Sequence, residues 1–308
     1  MFGFNEHSML LIENLRKKKR RVVVVADRLP HEVIKYLEAN RIAVIHHHDQ
    51  QENKYTKAGI SRAKNIIMLH QQDIDNLNEF IDFQTDFTKY KRKNHQLVVY
   101  IHLHEPQSRV LFAELDKTMN GYDPAIKVKQ INIYQSFAQA LFEKQSILKS
   151  VQANNSAHLL IIGFGSIGQQ IALQASAQLS GLSKTKFKIT ALDQFIMEAK
   201  RDWLSDYPDT VESVPITFRS FDIKSDRLEE VIREQEQPVT HIFICLDDDL
   251  DLWAGIELSN KFPQVPIFIE YSEGSFAEKW IQSEVSGNRL IYSLGTFQEV
   301  LTEENIFK

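Results

Sequence analysis

The segment His158–Gln170, with the sequence HLLIIGFGSIGQQ, decides the fold of this chain. Its apolar residues run directly into the glycine-rich turn Gly163–Gly168, and the helix-compatible stretch QQIALQASAQL follows without a break. This order of strand, glycine turn and helix start is the G-x-G-x-x-G pattern of a dinucleotide-binding unit. We expect Gly163 to allow the tight exit from the strand, Gly165 to admit a pyrophosphate and Gly168 to let the helix pack closely.

The glycine turn is the expected phosphate site, because the free N–H groups and the positive dipole end of the following helix would face the ligand. The alternative is a structural turn, since any tight connection between a strand and a helix can use glycine. The strand before the turn and the helix after it favour the ligand site. The expected ligand contacts of the turn are Gly163, Phe164, Gly165, Ser166, Ile167 and Gly168.

A second predicted strand, Phe187–Leu192, ends on Asp193, where the pattern places the acid that holds a ribose 2′-hydroxyl. The gap from the turn exceeds the usual spacing of about 20 residues, and the polar stretch Ser180–Lys186 accounts for the excess. Asp193 would repel a 2′-phosphate, and its neighbour Gln194, a further expected contact, offers no charge to attract one. NAD, NADH or an adenine nucleotide such as ATP, ADP or AMP is therefore favoured over NADP.

The length and composition indicate two domains of a globular protein. The 308 residues can bury two cores, and 43% hydrophobic with 25% charged residues is typical of globular chains. A net charge of −5 argues against general nucleic-acid binding. The single cysteine, Cys245, excludes an intrachain disulfide and suits a reducing compartment. Without an apolar run of about 18 residues or a secretory signal, we expect a cytoplasmic protein.

Residues 1–20 are expected to form a basic N-terminal arm. A short apolar cluster between Met9 and Leu15 precedes the basic run Arg16–Arg21. Such an amphipathic helix can lie on an anionic membrane, which would place the chain at the inner face of the cell membrane. The alternative is a solvated arm with its positive charges at a helix C-terminus, and the shortness of the apolar face favours it.

Strands alternate with helices along the rest of the chain, which predicts the α/β class with two tandem, Rossmann-like, doubly wound parallel sheets. The expected domains are residues 21–150 and 151–308, joined by the polar stretch Val151–Ser156. The second domain is the one that contains the glycine turn, so we expect it to bind the nucleotide.

The two halves are related in sequence. Ile66–Leu77 (IIMLHQQDIDNL) aligns with Ile242–Trp253 (IFICLDDDLDLW), and INIYQSFAQAL at 131–141 aligns with IYSLGTFQEVL at 291–301. These matches indicate a tandem duplication. In place of the glycine turn the first copy has Ala26–His31, with the sequence ADRLPH. An aspartate there opposes a phosphate and side chains block close approach, so we expect the first copy to be degenerate.

The acidic stretch Cys245–Asp251 follows a predicted strand and precedes a predicted helix. Its four aspartates can bind a divalent cation through oxygen, but such residues are more often helix caps and first-turn charges. We therefore predict no metal here. Because ligands bind at the carboxyl edge of such sheets, we expect the nucleotide pocket to be bordered by Cys245, Leu246 and Asp247.

Histidines gather near the strand ends of the first half. Three of them are consecutive, His46–His48, and they cannot all reach one metal from a regular strand, because neighbouring side chains point to opposite faces. A solvated or pH-sensitive edge is the favoured interpretation. Together with His70, His102 and His104 these residues could form a degenerate site that responds to protonation.

The chain resembles the RCK domains (regulators of K⁺ conductance) of Trk-type potassium-uptake regulators and ligand-gated potassium channels. The likeness is carried by GFGSIG with Asp193 and by KAGISRAKNIIMLHQQDIDNL at residues 57–77. Asp222 follows Phe221 at the position where the family has Gly-Asp-Ala beside the adenine. The departures are the glycine-free first copy, Phe221 in place of glycine and the lack of a recognisable C-terminal ligand-binding subdomain.

This resemblance implies a regulatory, non-catalytic protein that controls potassium or other ion transport. Its implied partners are an adenine nucleotide, a membrane channel or transporter and further copies of the chain, paired as RCK domains pair. The residues 136–150 resemble the family's crossover helix. Two alternatives stay open: an NAD-dependent oxidoreductase, and a nucleotide sensor without a channel partner. The sequence contains no G-x-S-x-G, H-E-x-x-H or C-x-x-C signature, which disfavours an enzyme.

Overall fold

Strands alternate with helices along the computed structural model, and every pair of strands among its described residues is parallel, so the predicted α/β class is confirmed. The chain forms two compact units: unit 1 comprises Met1–Ile133 and Leu301–Lys308, and unit 2 comprises Tyr134–Val300. The described residues are 1–46, 54–87, 96–118, 125–144, 147, 149, 151, 156–179, 187–208, 216–224, 227–246, 248–271, 275–284 and 290–306.

In both units, helices and strands alternate along the chain. The elements from the N-terminus to the last strand of unit 1 are α1 Ser8–Lys17, β1 Val23–Ala26, α2 His31–Ala39, β2 Ala43–His46, α3 Lys54–Lys57, a 3₁₀ turn Ile60–Arg62, β3 Asn65–Met68, α4 Asp73–Phe87, β4 Leu97–His102, α5 Pro106–Thr118 and β5 Ile126–Ile131. Then follow α6 Ile133–Lys144, β6 Ala157–Ile162, α7 Ser166–Leu179, β7 Phe187–Asp193, α8 Ile196–Asp206, β8 Ile216–Ser220, α9 Leu228–Arg233, β9 His241–Ile244, α10 Asp248–Lys261, β10 Ile267–Ile269, α11 Phe276–Glu284, β11 Ile291–Ser293, α12 Phe297–Val300 and α13 Glu303–Ile306.

The sheet of unit 1 is held together by the N-terminal residues. Strands β1 and β2 pair with each other, β3, β4 and β5 form a second parallel set, and Phe2 bridges Val25 on one side and Met68 on the other. The Phe2 amide donates to the carbonyl of Ile67 at 2.8 Å, and the Gly3 amide donates to that of Val25 at 2.9 Å. The strand order is therefore β2, β1, Phe2, β3, β4, β5.

Helix α1 belongs to the packing of unit 1. Its side chains Leu11, Ile12 and Leu15 are buried, and Ile12 lies in one hydrophobic cluster with Val24 and Leu37. The apolar face that could have met a membrane is thus covered by the unit itself, whereas the basic residues 16–21 are exposed.

The sheet of unit 2 has the order β11, β10, β9, β6, β7, β8. All six residues of β6 are buried, because the strand is covered on both faces. Alternate side chains serve opposite cores: Leu159 and Ile161 belong to one hydrophobic cluster, and Leu160 and Ile162 belong to the other. The sheet is therefore doubly wound, and the strand order reverses between β6 and β9.

The packing units differ from the expected ranges of residues 21–150 and 151–308. Helix α6 belongs to unit 2, because Phe137 and Leu141 are buried in the cluster that contains Phe243. Leu301 belongs to unit 1, where it is fully buried and its carbonyl accepts a hydrogen bond from the side-chain Nδ2 of Asn14 at 3.0 Å. Within the described ranges, no helix is long and apolar enough to cross a membrane.

Candidate functional site

The glycine turn at the end of β6 contains one glycine that the backbone requires. Gly163 has φ +89°, in the left-handed region that side chains rarely adopt. A Cβ atom placed on it would lie 2.1 Å from the carbonyl oxygen of Cys245. The Cys245 amide donates to the Ile162 carbonyl at 2.7 Å, so the ends of β6 and β9 meet at this point.

The other two glycines of the motif have contrasting surroundings. A Cβ atom on Gly168 would lie 2.2 Å from the carbonyl oxygen of Gly163, so this glycine lets α7 approach the turn. Gly165 is exposed, and no described atom lies within 4 Å of its Cβ position. The turn is therefore closed by protein at Gly163 and Gly168 and open at Gly165, which is the arrangement that a phosphate needs.

The start of α7 offers backbone donors beside this open position. The first hydrogen bond here runs from the Gln169 amide to the Gly165 carbonyl at 2.9 Å. For the amides of Gly165, Ser166, Ile167 and Gly168 no protein acceptor is present among the described residues. Ser166 is exposed and Ile167 is half-buried. These N–H groups, with the positive end of the helix dipole, form a donor set for an anion.

Phe164 fixes the turn to the core and does not face the open position. Its side chain is 1% exposed, and its ring lies 5.3 Å from that of Trp203 and 5.5 Å from that of Phe218. Its amide donates to Asp193 Oδ2 at 2.8 Å. Of the residues predicted to contact the ligand, Phe164 therefore acts within the protein, as an anchor of the turn.

Asp193 ends β7 beside the turn. Its Oδ2 accepts the Phe164 amide and its Oδ1 accepts the Phe195 amide, each at 2.8 Å. A carboxylate oxygen has a second acceptor site, so Asp193 can still receive a ribose hydroxyl on each oxygen. The same residue thus positions the turn and stays able to bind a sugar, and no pattern in the sequence indicated the first of these roles.

The residues after Asp193 form an exposed rim. Gln194 is exposed, and Phe195 is 63% exposed, which is unusual for so large an apolar side chain. Phe195 was not predicted from the sequence as a ligand contact. The signal that could have identified it is its position two residues after Asp193. An exposed aromatic ring at this edge can pack against a flat base.

Asp222 is brought to the same edge by a backbone contact. The Phe221 amide donates to the Asp193 carbonyl at 3.1 Å, which joins the end of β8 to that of β7. Asp222 is half-buried, and its Oδ1 accepts the Lys224 amide at 2.9 Å. Phe221 itself is buried, so the side chain that stands where RCK domains have a glycine points into the core.

The end of β9 borders the turn from the other side. Burial raises the pKa of the Cys245 thiol well above its usual value, and Glu270 and Asp251 add to this effect, so the thiol stays protonated at neutral pH. The Leu246 amide donates to Oδ1 of the buried Asp251 at 2.7 Å, a contact that the sequence did not indicate. Asp247 lies outside the described residues, as do the side chains of 248 and 249.

The corresponding position of unit 1 is built differently. Pro30, with φ −55°, precedes α2, and Asp27 and Arg28 are exposed in the connection from β1. The strand order of unit 1 reverses between β1 and β3, and the backbone of Phe2 lies between these two strands. The place that a ligand crevice takes in a doubly wound sheet is thus bordered by an additional segment of chain. The degeneracy of this half stays a prediction.

Two of the histidines of unit 1, His102 and His104, form side-chain hydrogen bonds. One ring nitrogen each of His102 and His104 and one carboxylate oxygen of Asp73 lie within 4.8 Å of one another. Asp73 Oδ2 accepts the amides of His104 and Glu105, each at 2.8 Å, and its Oδ1 contacts His104 Nδ1 at 2.9 Å. The bond to Asp73 raises the pKa of His104, whereas burial lowers that of His102 to about 4. His46 ends β2 and is exposed, and His47 and His48 lie outside the described residues.

The fold of the chain is similar to that of two solved structures of GsuK. One, a GsuK mutant, is 15% identical, and the match covers 95% of this chain and 64% of that one with a TM-score of 0.58. The other, the GsuK channel, is 12% identical, with 95% and 60% covered and a TM-score of 0.58. No family model and no curated protein matches the sequence. The chain spans less than two-thirds of the length of either GsuK chain. At sequence identities this low, the similarity shows a shared fold alone.

Proposed function

We propose that unit 2 binds NAD, NADH or an adenine nucleotide and that this chain is a regulatory protein. The observation that carries the proposal is the open glycine turn at the carboxyl edge of the sheet, where the strand order reverses between β6 and β9. Ligands of doubly wound folds bind at this point. The amides at the start of α7 supply the donors for a diphosphate.

The surrounding residues suit the rest of a nucleotide. Asp193 keeps acceptor sites for a ribose hydroxyl, and its negative charge disfavours a 2′-phosphate. The ring of Phe195 is exposed beside it, and Asp222 lies at the end of the neighbouring strand. We assign Gly165 and the amides of Ser166 and Ile167 to the phosphates, Asp193 to the ribose, and Phe195 with Asp222 to the border of the adenine.

The regulated activity we propose is ion transport by a membrane channel or transporter. Support comes from the RCK-like sequence segments and from the shared fold with GsuK, a channel. A nucleotide can regulate such a partner only if it binds one arrangement of the protein better than another. The neutral thiol of Cys245 and the hydrogen-bonded carboxylate of Asp251 favour binding over covalent catalysis at this edge.

Isothermal titration calorimetry of the purified chain with NAD, NADH, ATP, ADP and AMP tests the nucleotide site. We expect one of these ligands to bind in the micromolar range, and Gly165→Asp to abolish the heat of binding, because its carboxylate enters the open position. Ser205→Asp adds the same charge on an exposed position of α8 and is expected to leave binding unchanged. If all five ligands fail to bind, or if Gly165→Asp binds normally, the proposal is wrong.

A second measurement separates a regulator from an oxidoreductase. A regulator binds nicotinamide nucleotides without turnover, so the absorbance of NADH should stay constant during incubation with a panel of small carbonyl compounds. A steady loss of that absorbance that Gly165→Asp removes would identify an enzyme. For the transport partner, copurification of the chain with membrane proteins from the source cells, in the presence and absence of the identified nucleotide, is the corresponding test.

A further inference from the structure

A groove in unit 1 gathers positive charge from distant parts of the chain. This basic groove has a cavity volume of about 690 Å³, which is within the range of small-molecule sites, and lies at the amino ends of β1 and β3. Its charged lining residues are Lys19, Arg20, Arg21, Arg62, Lys64 and Glu303, and most of its other lining residues are apolar. The chain as a whole has a net charge of −5, so this concentration of cations is local.

The charges of the basic groove are only partly neutralised by protein. Arg20 is held by Glu303, with Nε donating to Oε2 at 2.9 Å and Nη2 to Oε1. Throughout the ranges that the structure describes, the side chains of Lys19, Arg21, Arg62 and Lys64 form no ion pair or hydrogen bond. All four are exposed, so a ligand can reach them.

Lys19 occupies a backbone conformation that would suit glycine better. Its φ is +58°, in the left-handed region, and it lies two residues after the end of α1, with its amide donating to the Arg16 carbonyl at 2.7 Å. Glycine is the usual residue at such a helix end, and another residue there is strained. The chain therefore keeps a cation at the rim of the groove in a place where glycine would relieve strain.

We propose that the basic groove binds the phosphate groups of an anionic ligand. Lys19, Arg21, Arg62 and Lys64 would donate to phosphate oxygens, and arginine in particular can do so with two parallel N–H groups. Glu303 competes with the ligand, because it already occupies Arg20. A free polyphosphate and the headgroup of an acidic phospholipid share this chemistry. The site is independent of the glycine turn, since its charged residues all belong to unit 1.

Calorimetric titration of inorganic tripolyphosphate into the full chain that carries Gly165→Asp tests the groove, because that background removes the proposed site of unit 2. We expect Arg62→Ala combined with Lys64→Ala to weaken binding by about tenfold or more. Glu303→Gln should strengthen binding several-fold, since it releases Arg20. Lys19→Gly should weaken binding while leaving the protein at least as stable, which a folding defect cannot explain.

Vesicles distinguish the source of the phosphate. The same variants are sedimented with vesicles of phosphatidylcholine alone and of phosphatidylcholine with phosphatidic acid. Binding to tripolyphosphate identifies a soluble ligand, and binding to phosphatidic acid vesicles alone identifies a lipid headgroup; either supports the proposal if the groove variants reduce it. Lys117→Ala, which removes an exposed cation elsewhere in unit 1, should have no effect. If neither probe binds, or if binding ignores the groove variants, the proposal is overturned.

Discussion

Gly163 and Gly165 lie two residues apart in one turn and have opposite surroundings. The first has φ +89° and faces the Cys245 carbonyl, whereas no described atom approaches the Cβ position of the second. The motif names both as glycines of a nucleotide site, but the structure indicates that Gly163 serves the fold and Gly165 leaves room for a ligand. The two effects can be separated by the same substitution at each position.

We expect Gly163→Ala to destabilise unit 2 strongly, by about 2 kcal/mol or more, because the new methyl group collides with backbone and φ is strained. Gly165→Ala should change the free energy of unfolding by only about 0.5 kcal/mol while it weakens nucleotide binding. Urea unfolding followed by tryptophan fluorescence measures the free energy of unfolding of both variants, and calorimetry measures their nucleotide binding. Equal losses of stability for the two variants would contradict this division of roles.

His241 gives unit 2 a predictable response to acid. Its side chain is buried, its Nδ1 lies 3.0 Å from Thr240 Oγ1, and burial lowers its pKa to about 4. The pKa of an unfolded histidine is about 6.5. At a pH between that value and 4, the His241 ring therefore binds a proton in the unfolded chain but not in the folded chain. The contribution of His241 to the stability of unit 2 is therefore fully present above about pH 6.5, and it is lost as the pH falls towards 4.

The size of this effect is testable with a variant that removes the ionisable ring. Lowering the pH from about 7 to about 5 should cost wild-type unit 2 roughly 2 kcal/mol through His241. His241→Phe keeps the stack on Phe268, whose ring lies 6.3 Å from that of His241, and should lose that part of the pH dependence. Urea unfolding at both pH values, read by tryptophan fluorescence, gives the comparison. Identical pH dependence in the two proteins would show that folding does not lower the pKa of His241.

Individual elements were largely predictable, because apolar β-branched runs such as Val23–Ala26 and periodic stretches such as Ser166–Leu179 determine strands and helices locally. The strand position of Phe2 was missed, since three residues show no periodicity. The joining of Leu301 to unit 1 was also missed, because it depends on contacts far apart in sequence. In the candidate site, the motif predicted the glycines and Asp193 as ligand contacts, which stays a prediction, and it could not indicate that Phe164 points into the core.

The segment that begins at Leu301 is expected to matter for unit 1 rather than for unit 2. Leu301 is fully buried, so Leu301→Ala should destabilise unit 1 by about 2–5 kcal/mol through the cavity it leaves. Leu111→Ala is the matched control, because Leu111 is 46% exposed on α5 of the same unit. Native-state hydrogen exchange reports each unit separately. Faster exchange in unit 2 and unchanged exchange in unit 1 would contradict the assignment.

At the scale of the whole molecule, the tryptophans offer a selective probe. Trp203, Trp253 and Trp280 are the three tryptophans of the chain, and all belong to unit 2. A nucleotide bound by unit 2 at about 100 times its Kd should stabilise the tryptophan-reported transition by about 2.7 kcal/mol. Thermal unfolding with and without the ligand measures the shift. Gly165→Asp should remove the shift, and a shift that persists in this variant would place the ligand elsewhere.

The membership of Leu301–Ile306 in unit 1 has a consequence for biosynthesis. A ribosome makes most of unit 1 first, yet that unit lacks a buried segment until every residue of unit 2 has been translated. Unit 2 is continuous in sequence and can finish folding earlier. The half that emerges first is therefore completed last, and during elongation its unfinished surface would depend on chaperones for protection.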